Sequence, residues 1–278
     1  MRLEASEVFD FSHLDDAREE IEAINLKHSG IPYYHVETCL TYSDYNVRQG
    51  AHGRRVLSTL EYLLERAESR GRYLDVGSMD SPQLKFLART FDEVTLVEPG
   101  PLYRDILGVM IQHGGLSNVT VVPSIVQADG PFDVVSAWEC LEHVVNIRSF
   151  EPADSVETYW GAKRAFIGEI HDRLRPGGQF FWSVPVMTGA IFAAKYLAAL
   201  VLRRRFYSAI RPREAWLHVS GRVQKISGPM VQATHRGFDE RRLAQMIDST
   251  FETVESRRFP GRWGLKEILV GHSRRSGG

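Results

Sequence analysis

Tyr73-Leu-Asp-Val-Gly-Ser-Met-Asp-Ser81 is a short apolar run that passes through an acid and a glycine into small polar residues. Tyr73 to Val76 has the composition of a buried strand, and Gly77 to Ser81 reads as a turn opening a helix near Pro82. A strand, a tight turn and a helix start make a ligand-binding corner. Gly77 lacks a Cβ, so the backbone there can approach a ligand, and the N–H groups of a helix start favour acceptors. Asp75, at the carboxyl end of the strand, orients the loop or accepts a bond from a cationic group. An ordinary strand-to-helix turn with no ligand fits the same residues.

The segment that follows favours the ligand. Glu93-Val-Thr-Leu-Val-Glu-Pro99 reads as a second strand ending in an acid. Glu98 falls roughly 20 residues past the glycine turn, where a doubly wound nucleotide-binding sheet places the carboxylate that holds a ribose hydroxyl pair. Beyond it strands and helices alternate: helices over 83–90, 102–112 and 159–174, and strands over 118–123, 132–137 and 179–184. Pro176-Gly177-Gly178 is expected to stop the last of these helices. A helix over 238–249 and two closing strands over 253–259 and 265–272, joined through Pro260-Gly261, complete the pattern. Such alternation with short links predicts an α/β fold, a Rossmann-like doubly wound, mainly parallel sheet of seven strands with an antiparallel last strand.

The chain has 278 residues, 43% hydrophobic and 25% charged, enough for one large core and far from a disordered composition. A net charge of −1, mixed rather than blocked, gives no basic face for nucleic acid. Cys39 and Cys140 stand far apart without metal spacing, and no apolar leader opens the sequence, so a cytoplasmic setting is expected. No apolar run reaches the roughly 18 residues of a spanning helix.

Residues 1–70 read as a helical N-terminal cap, with helices over 15–27 and 53–70, ahead of a catalytic domain over 71–278. Between the cap helices, Pro32 to Tyr45 is rich in tyrosine and fits a substrate lid or packing against the sheet; Arg48 is a candidate carboxylate contact. An insertion over 186–234 forms a second lid. Within it Gly189 to Leu202 is almost wholly apolar and runs into Arg203-Arg-Arg205. That helix can lie in a membrane interface, roof a greasy pocket, or pack against the sheet or a second copy in a homodimer. Trp216 and His218, with the glycines up to Gly228-Pro229, read as a loop or small hairpin.

Leu74-Asp-Val-Gly77, Leu96-Val-Glu98-Pro, Phe132-Asp-Val-Val135, Leu141-Glu-His-Val144 and Leu174-Arg-Pro-Gly-Gly178 together resemble the class I S-adenosylmethionine-dependent methyltransferases, particularly the branch with the ubiquinone-biosynthesis O-methyltransferases. The resemblance runs from near residue 72 to 185, with a weaker echo over 235–272. It implies that Asp75 and Gly77 line the methionine part of the cofactor, and that Glu98, followed by Pro99, binds the ribose. It further implies that Ser124 and Ile125 flank the adenine, and that Trp138 and Glu139 close over the sulfonium. Met79 and Ser81 stand where the family has further glycines, and the family's acid near Ser124 is missing. Ser78 and Ser81 are small donors that can substitute. Without Gly-x-Gly-x-x-Gly, Met79 and Pro82 crowd a pyrophosphate, which argues against a dinucleotide.

For a hydroxyl acceptor the enzyme must remove one proton, and imidazole suits that near neutrality. Glu142 and His143, just past the fourth strand, and His235, in Thr234-His-Arg-Gly-Phe238, are the catalytic candidates; capping and loop-holding roles fit them too. Asp129, Glu139 and Asp154 show no ligand spacing, so no metal is expected. The reading that results is transfer of a methyl group from S-adenosyl-L-methionine to a small-molecule oxygen, releasing S-adenosyl-L-homocysteine. The acceptor is apolar or lipid-linked if residues 189–205 touch a membrane. A non-catalytic partner-binding module and a protein or nucleic-acid methyltransferase are the alternatives.

Overall fold

The computed structural model describes residues 2–10, 16–28, 51–79, 81–144, 153–201, 210–228, 230, 235–259 and 268–276. The tyrosine-rich segment 32–45, Arg48, the Arg203–Arg205 run and the Pro260-Gly261 link lie outside them. The chain divides into two compact units, Met1–Ser136 with Arg173–Gly178, and Ala137–Asp172 with Gln179–Gly278.

The first unit carries α1 (Ala5–Val8), α2 (Arg18–Lys27) and α3 (Ala51–Arg66), followed by β1 (Arg72–Val76), α4 (Leu84–Thr90) and β2 (Glu93–Val97). After these come α5 (Pro101–Gly114), β3 (Val119–Val122) and β4 (Phe132–Trp138), whose last two residues belong to the second unit. β1, β2, β3 and β4 run parallel, and Tyr73, Leu74, Val76, Val94, Leu96, Val97, Val134 and Val135 are all buried. Strands this continuously apolar are what a parallel sheet requires, and burying each large side chain contributes about 1.5–3 kcal/mol. Pro101 starts α5 at a position that has no hydrogen bond to lose, and Gly115, at φ 61°, ends it in the left-handed region.

The second unit carries α6 (Val156–Arg173, whose last residue falls in the first unit), β5 (Leu174–Pro185), α7 (Gly189–Val201), α8 (Pro212–Val219), α9 (Glu240–Asp248), β6 (Glu252–Phe259) and β7 (Ile268–Arg274). Its core gathers Trp160, Ile167, Phe180, Phe181, Trp182, Phe192, Phe238, Leu243 and Val270, with Trp160 stacked on Phe238 at 6.1 Å. Asp239 caps α9 by accepting the Arg241 amide at 3.0 Å.

The seven strands lie in the order β3-β2-β1-β4-β5-β7-β6, and β7 runs antiparallel to both β5 and β6. This is the sheet the alternation predicts. Three local expectations change. The expected stop at Pro176-Gly177-Gly178 is part of β5, because α6 passes straight into the strand with Gly177 at φ 74°. α4 begins two residues after Pro82, since Ser81, at φ 36°, closes a turn in which its carbonyl accepts the Leu84 amide. The stretch around Trp216 and His218 is helical rather than a hairpin: Pro212 opens α8, and Glu214 reaches back to the Arg211 amide at 3.1 Å.

Candidate functional site

In the first unit the strand register builds the corner. Asp75 pairs with Leu96 on β2 and Ser136 on β4, so the Ser136 hydroxyl donates to the Asp75 carboxylate at 2.6 Å, with the Tyr73 hydroxyl 2.5 Å from Ser136 Oγ. Asp75 is buried, and that burial pushes its pKa up while the bonds from Ser136, Ser78 and Tyr73 oppose the rise. Gly77 sits at φ 76°, and its amide donates to the Val97 carbonyl at 2.9 Å, tying the turn to the end of β2.

Glu98 is 5% exposed and its carboxylate bridges backbone amides, Oε2 accepting from Met79 at 2.8 Å and Oε1 from Gly100 at 2.7 Å. Met79 and Ser81 hold φ values of 49° and 36°, left-handed conformations that the family's glycines adopt without strain. Here the Glu98 carboxylate offsets part of that cost through a charge-assisted bond to the strained residue. Ser78 Oγ donates to the Asp75 carbonyl, whereas Ser81 Oγ and Gln83 Oε1 are buried without a hydrogen-bond partner. Pro99 is exposed, Ser124 is extended and half-buried, and Ile125 is the buried first residue of an otherwise exposed 3-10 turn.

In the second unit β4 ends on Trp138, and the segment after it carries Glu139, Glu142 and His143. Glu139, at φ 47°, donates its amide to Ser183 Oγ at 3.1 Å, and Trp138 Nε1 is buried with no hydrogen-bond partner. Lys163 of α6 fastens the next turn. It is fully buried, and its ammonium donates to the carbonyls of Leu141 at 2.6 Å, Glu142 at 3.0 Å and Val144 at 2.8 Å, while lying 4.2 Å from the Tyr159 ring centroid. Burial pulls the Lys163 pKa down to about 7, against the raising effect of Glu142 and Cys140. Tyr159 donates its hydroxyl to the Glu142 carbonyl at 3.2 Å, and its own pKa is raised by burial first and by Glu142 second.

His235 comes to the same place from 92 residues further along the chain, its Nε2 lying 3.4 Å from His143 Nε2. Its backbone has φ 49°, and its neighbours fix it there. Arg236 is paired with Glu214 at 2.6 Å, and the Gly237 amide points at His218 Nε2 at 3.4 Å. The φ of 76° at Gly237 favours glycine, and an added Cβ would also come within 2.8 Å of Met230 Sδ and push that side chain aside. Burial, then His143, Lys195 and Lys163, hold the His235 pKa well below its ordinary value, keeping the ring neutral. The Glu142 carboxylate is 3.9 Å from His143 Nε2, so the three catalytic candidates form one cluster.

Residues 48–249 match the family profile of a methyltransferase domain. No curated protein matches by sequence. The fold is similar to that of the N-methyltransferase NodS from Bradyrhizobium japonicum WM9 (14% identity, covering 82% of this chain and 98% of that one, TM-score 0.53). It is also similar to the 1,6-didemethyltoxoflavin-N1-methyltransferase of Burkholderia thailandensis, solved with 1,6-didemethyltoxoflavin and S-adenosylhomocysteine (17% identity, 94% and 90% covered, TM-score 0.52). The [4+2]-cyclase SpnF shares the fold as well (15% identity, 80% and 82% covered, TM-score 0.51). None of these relatives singles out the ubiquinone branch. A profile spanning most of the chain, on a sheet whose first two strands end in acids beside a glycine turn, places this protein in the methyltransferase-domain family.

Proposed function

We propose that the chain moves a methyl group from S-adenosyl-L-methionine to a small molecule, with a hydroxyl oxygen as acceptor, and releases S-adenosyl-L-homocysteine. The observation that carries the cofactor reading is the turn after β1, where Ser81 Oγ and Gln83 Oε1 are buried without partners. A ligand with its own donors and acceptors would satisfy them, and an unsatisfied buried polar atom otherwise costs about 1–3 kcal/mol. Asp75, Gly77 and Ser78 would hold the methionine part. Glu98 would take the ribose hydroxyls next to Pro99. Ser124 and Ile125 would flank the adenine.

The cofactor brings an activated methyl, so the protein's task is positioning and deprotonation. His143 is the candidate base: its side chain is 34% exposed, so an acceptor can reach it, while Glu142 and His235 fix it from the buried side. Substituting His143 with Gln should lower turnover more than S-adenosylhomocysteine affinity. Equal turnover would return His143 to a structural role.

Two relatives named as N-methyltransferases favour a nitrogen acceptor as a second reading, and the cyclase favours chemistry other than methyl transfer on the same scaffold. Calorimetry with S-adenosylmethionine and its demethylated product, followed by mass spectrometry of co-purified small molecules mixed with labelled cofactor, separates these readings. No heat at millimolar ligand would favour a non-catalytic binding module. A labelled product identifies oxygen or nitrogen directly.

No helix among the described residues is long and apolar enough to cross a membrane. On α7, however, Leu197, Leu200 and Val201 are exposed, as is Trp216 on α8. This patch supports an apolar or lipid-linked acceptor met at a membrane surface, and a second copy in a homodimer is the other candidate to cover it.

A further inference from the structure

We propose that Glu142, His143 and His235 form a binding site for a divalent transition-metal ion, zinc by preference. Their ligand atoms lie within 4.8 Å of one another, with the two Nε2 atoms 3.4 Å apart and Glu142 Oε1 3.9 Å from His143 Nε2. A nitrogen pair at that distance is long for an N–H···N hydrogen bond. It is the separation of two ligands on a tetrahedral ion, since zinc–nitrogen bonds of about 2.05 Å at the tetrahedral angle put the nitrogens about 3.4 Å apart. The rings are tilted by 53°, so their Nε2 lone pairs can converge on a point rather than stack. With the three ligand atoms spread over as much as 4.8 Å, the carboxylate must move by about 1 Å to reach the edge length of a tetrahedral ion.

The donor set decides the metal. Two imidazoles and one carboxylate suit zinc and its transition-metal neighbours, whereas magnesium and calcium prefer oxygen throughout. Three protein ligands leave a fourth position open, and the part-exposed His143 marks the side from which it can be reached. The ligands are also held in advance. Lys163 and Tyr159 fix the Leu141–Val144 turn through its carbonyls, and the Arg236–Glu214 pair anchors the residue next to His235. Sequence spacing pointed away from a metal because it weighed Asp129, Glu139 and Asp154; the set that converges joins a Glu-His pair to a residue 92 positions away. Lys163 and Lys195 oppose a cation here, which the Glu142 carboxylate must offset. With an ion bound, His143 Nε2 becomes a ligand and cannot also be the base; a hydroxyl in the open position would then be acidified by the ion.

The test uses the full chain, stripped with a chelator and titrated with cobalt(II) as a spectroscopic stand-in for zinc. The expected result is one ion per chain, the intense visible absorption of a tetrahedral cobalt site, and its displacement by zinc. His143→Ala and His235→Ala should each weaken binding on the order of 100-fold, and Glu142→Gln by less. Absence of the visible band in the unsubstituted protein at saturating cobalt overturns the proposal without recourse to any variant, as does equal affinity in a folded His143→Gln protein. S-adenosylhomocysteine calorimetry on the same samples keeps the two readings apart. Heat without cobalt binding sinks only the metal site, and cobalt binding without heat sinks only the cofactor reading.

Discussion

Glu98 and Lys163 show how one side chain can set the shape of a whole loop. The Glu98 carboxylate spans the Met79 and Gly100 amides, so truncating it removes two charge-assisted bonds from the first unit and the proposed partner of the ribose. Glu98→Ala should weaken S-adenosylhomocysteine binding by about 2 kcal/mol, roughly 30-fold, in calorimetry. Unchanged affinity would mean that the carboxylate serves the loop alone, and Glu98→Gln would then behave the same way. Lys163 is different in kind, because its three acceptors are carbonyls of one turn, of which Leu141 and Glu142 have a second donor in the Val144 amide and the Tyr159 hydroxyl. Lys163→Met keeps the volume but removes three buried bonds and leaves the Val144 carbonyl without its donor, and should cost about 2–4 kcal/mol in a denaturant titration. A loss below about 0.5 kcal/mol would show that water replaces the ammonium.

At the scale of elements, α7, which takes up residues 189–201 of the apolar stretch, has two unlike faces. Phe192 is fully buried and stacks on the His218 ring at 4.5 Å, whereas Leu197 and Leu200 are 61% and 58% exposed. Phe192→Ala should therefore cost about 3–5 kcal/mol, while Leu197→Gln and Leu200→Gln should stay within about 0.5 kcal/mol. Chemical denaturation of the three proteins checks the contrast, and vesicle co-sedimentation of the glutamine variants asks whether the exposed face meets lipid. Composition alone could not separate the faces, because every position in the run is apolar apart from Lys195 and Tyr196. The acid-ended strands were readable for the opposite reason. Their pattern is local, so Asp75, Gly77 and Glu98 fall at the strand ends that the sequence predicts. Lys163 was missed although a signal existed: it shares a helical face with Trp160, Ile167 and Ile170, where a lysine is read as solvated only if the stripe is ignored. The meeting of His143 and His235 had no local signal. It depends on how the chain between them folds, and spacing along a sequence carries no such distance.

For the whole molecule, the buried neutral histidine His218 links folding to pH. Its Nδ1–H donates to the Met187 carbonyl at 2.9 Å and its Nε2 faces the Gly237 amide, so the fold selects one neutral tautomer. Burial lowers its pKa; the Met187 bond, Glu214 and Asp239 raise it, and Arg236 lowers it further. Because the folded pKa lies below the unfolded value of about 6.5, the unfolded chain takes up the proton first as pH falls. The contribution is thus fully present above about pH 6.5 and is lost as pH drops from there towards the folded pKa. Melting temperature should fall between pH 7 and pH 5 in the unsubstituted chain, and should fall less in His218→Gln, which starts lower at pH 7 because it loses the ring stacked on Phe192. Parallel melting curves across that window would show that His218 does not titrate between the two states, and would assign the acid sensitivity there to His235, whose pKa burial also holds below its ordinary value. Asp105 and Glu214 are depressed carboxylates. Those two contribute at lower pH: their folded pKa values lie below the ordinary carboxylate range, so their stabilisation persists until the medium approaches it. The two mechanisms therefore separate on the pH axis, with the histidine losing its share first and the ion-paired acids last.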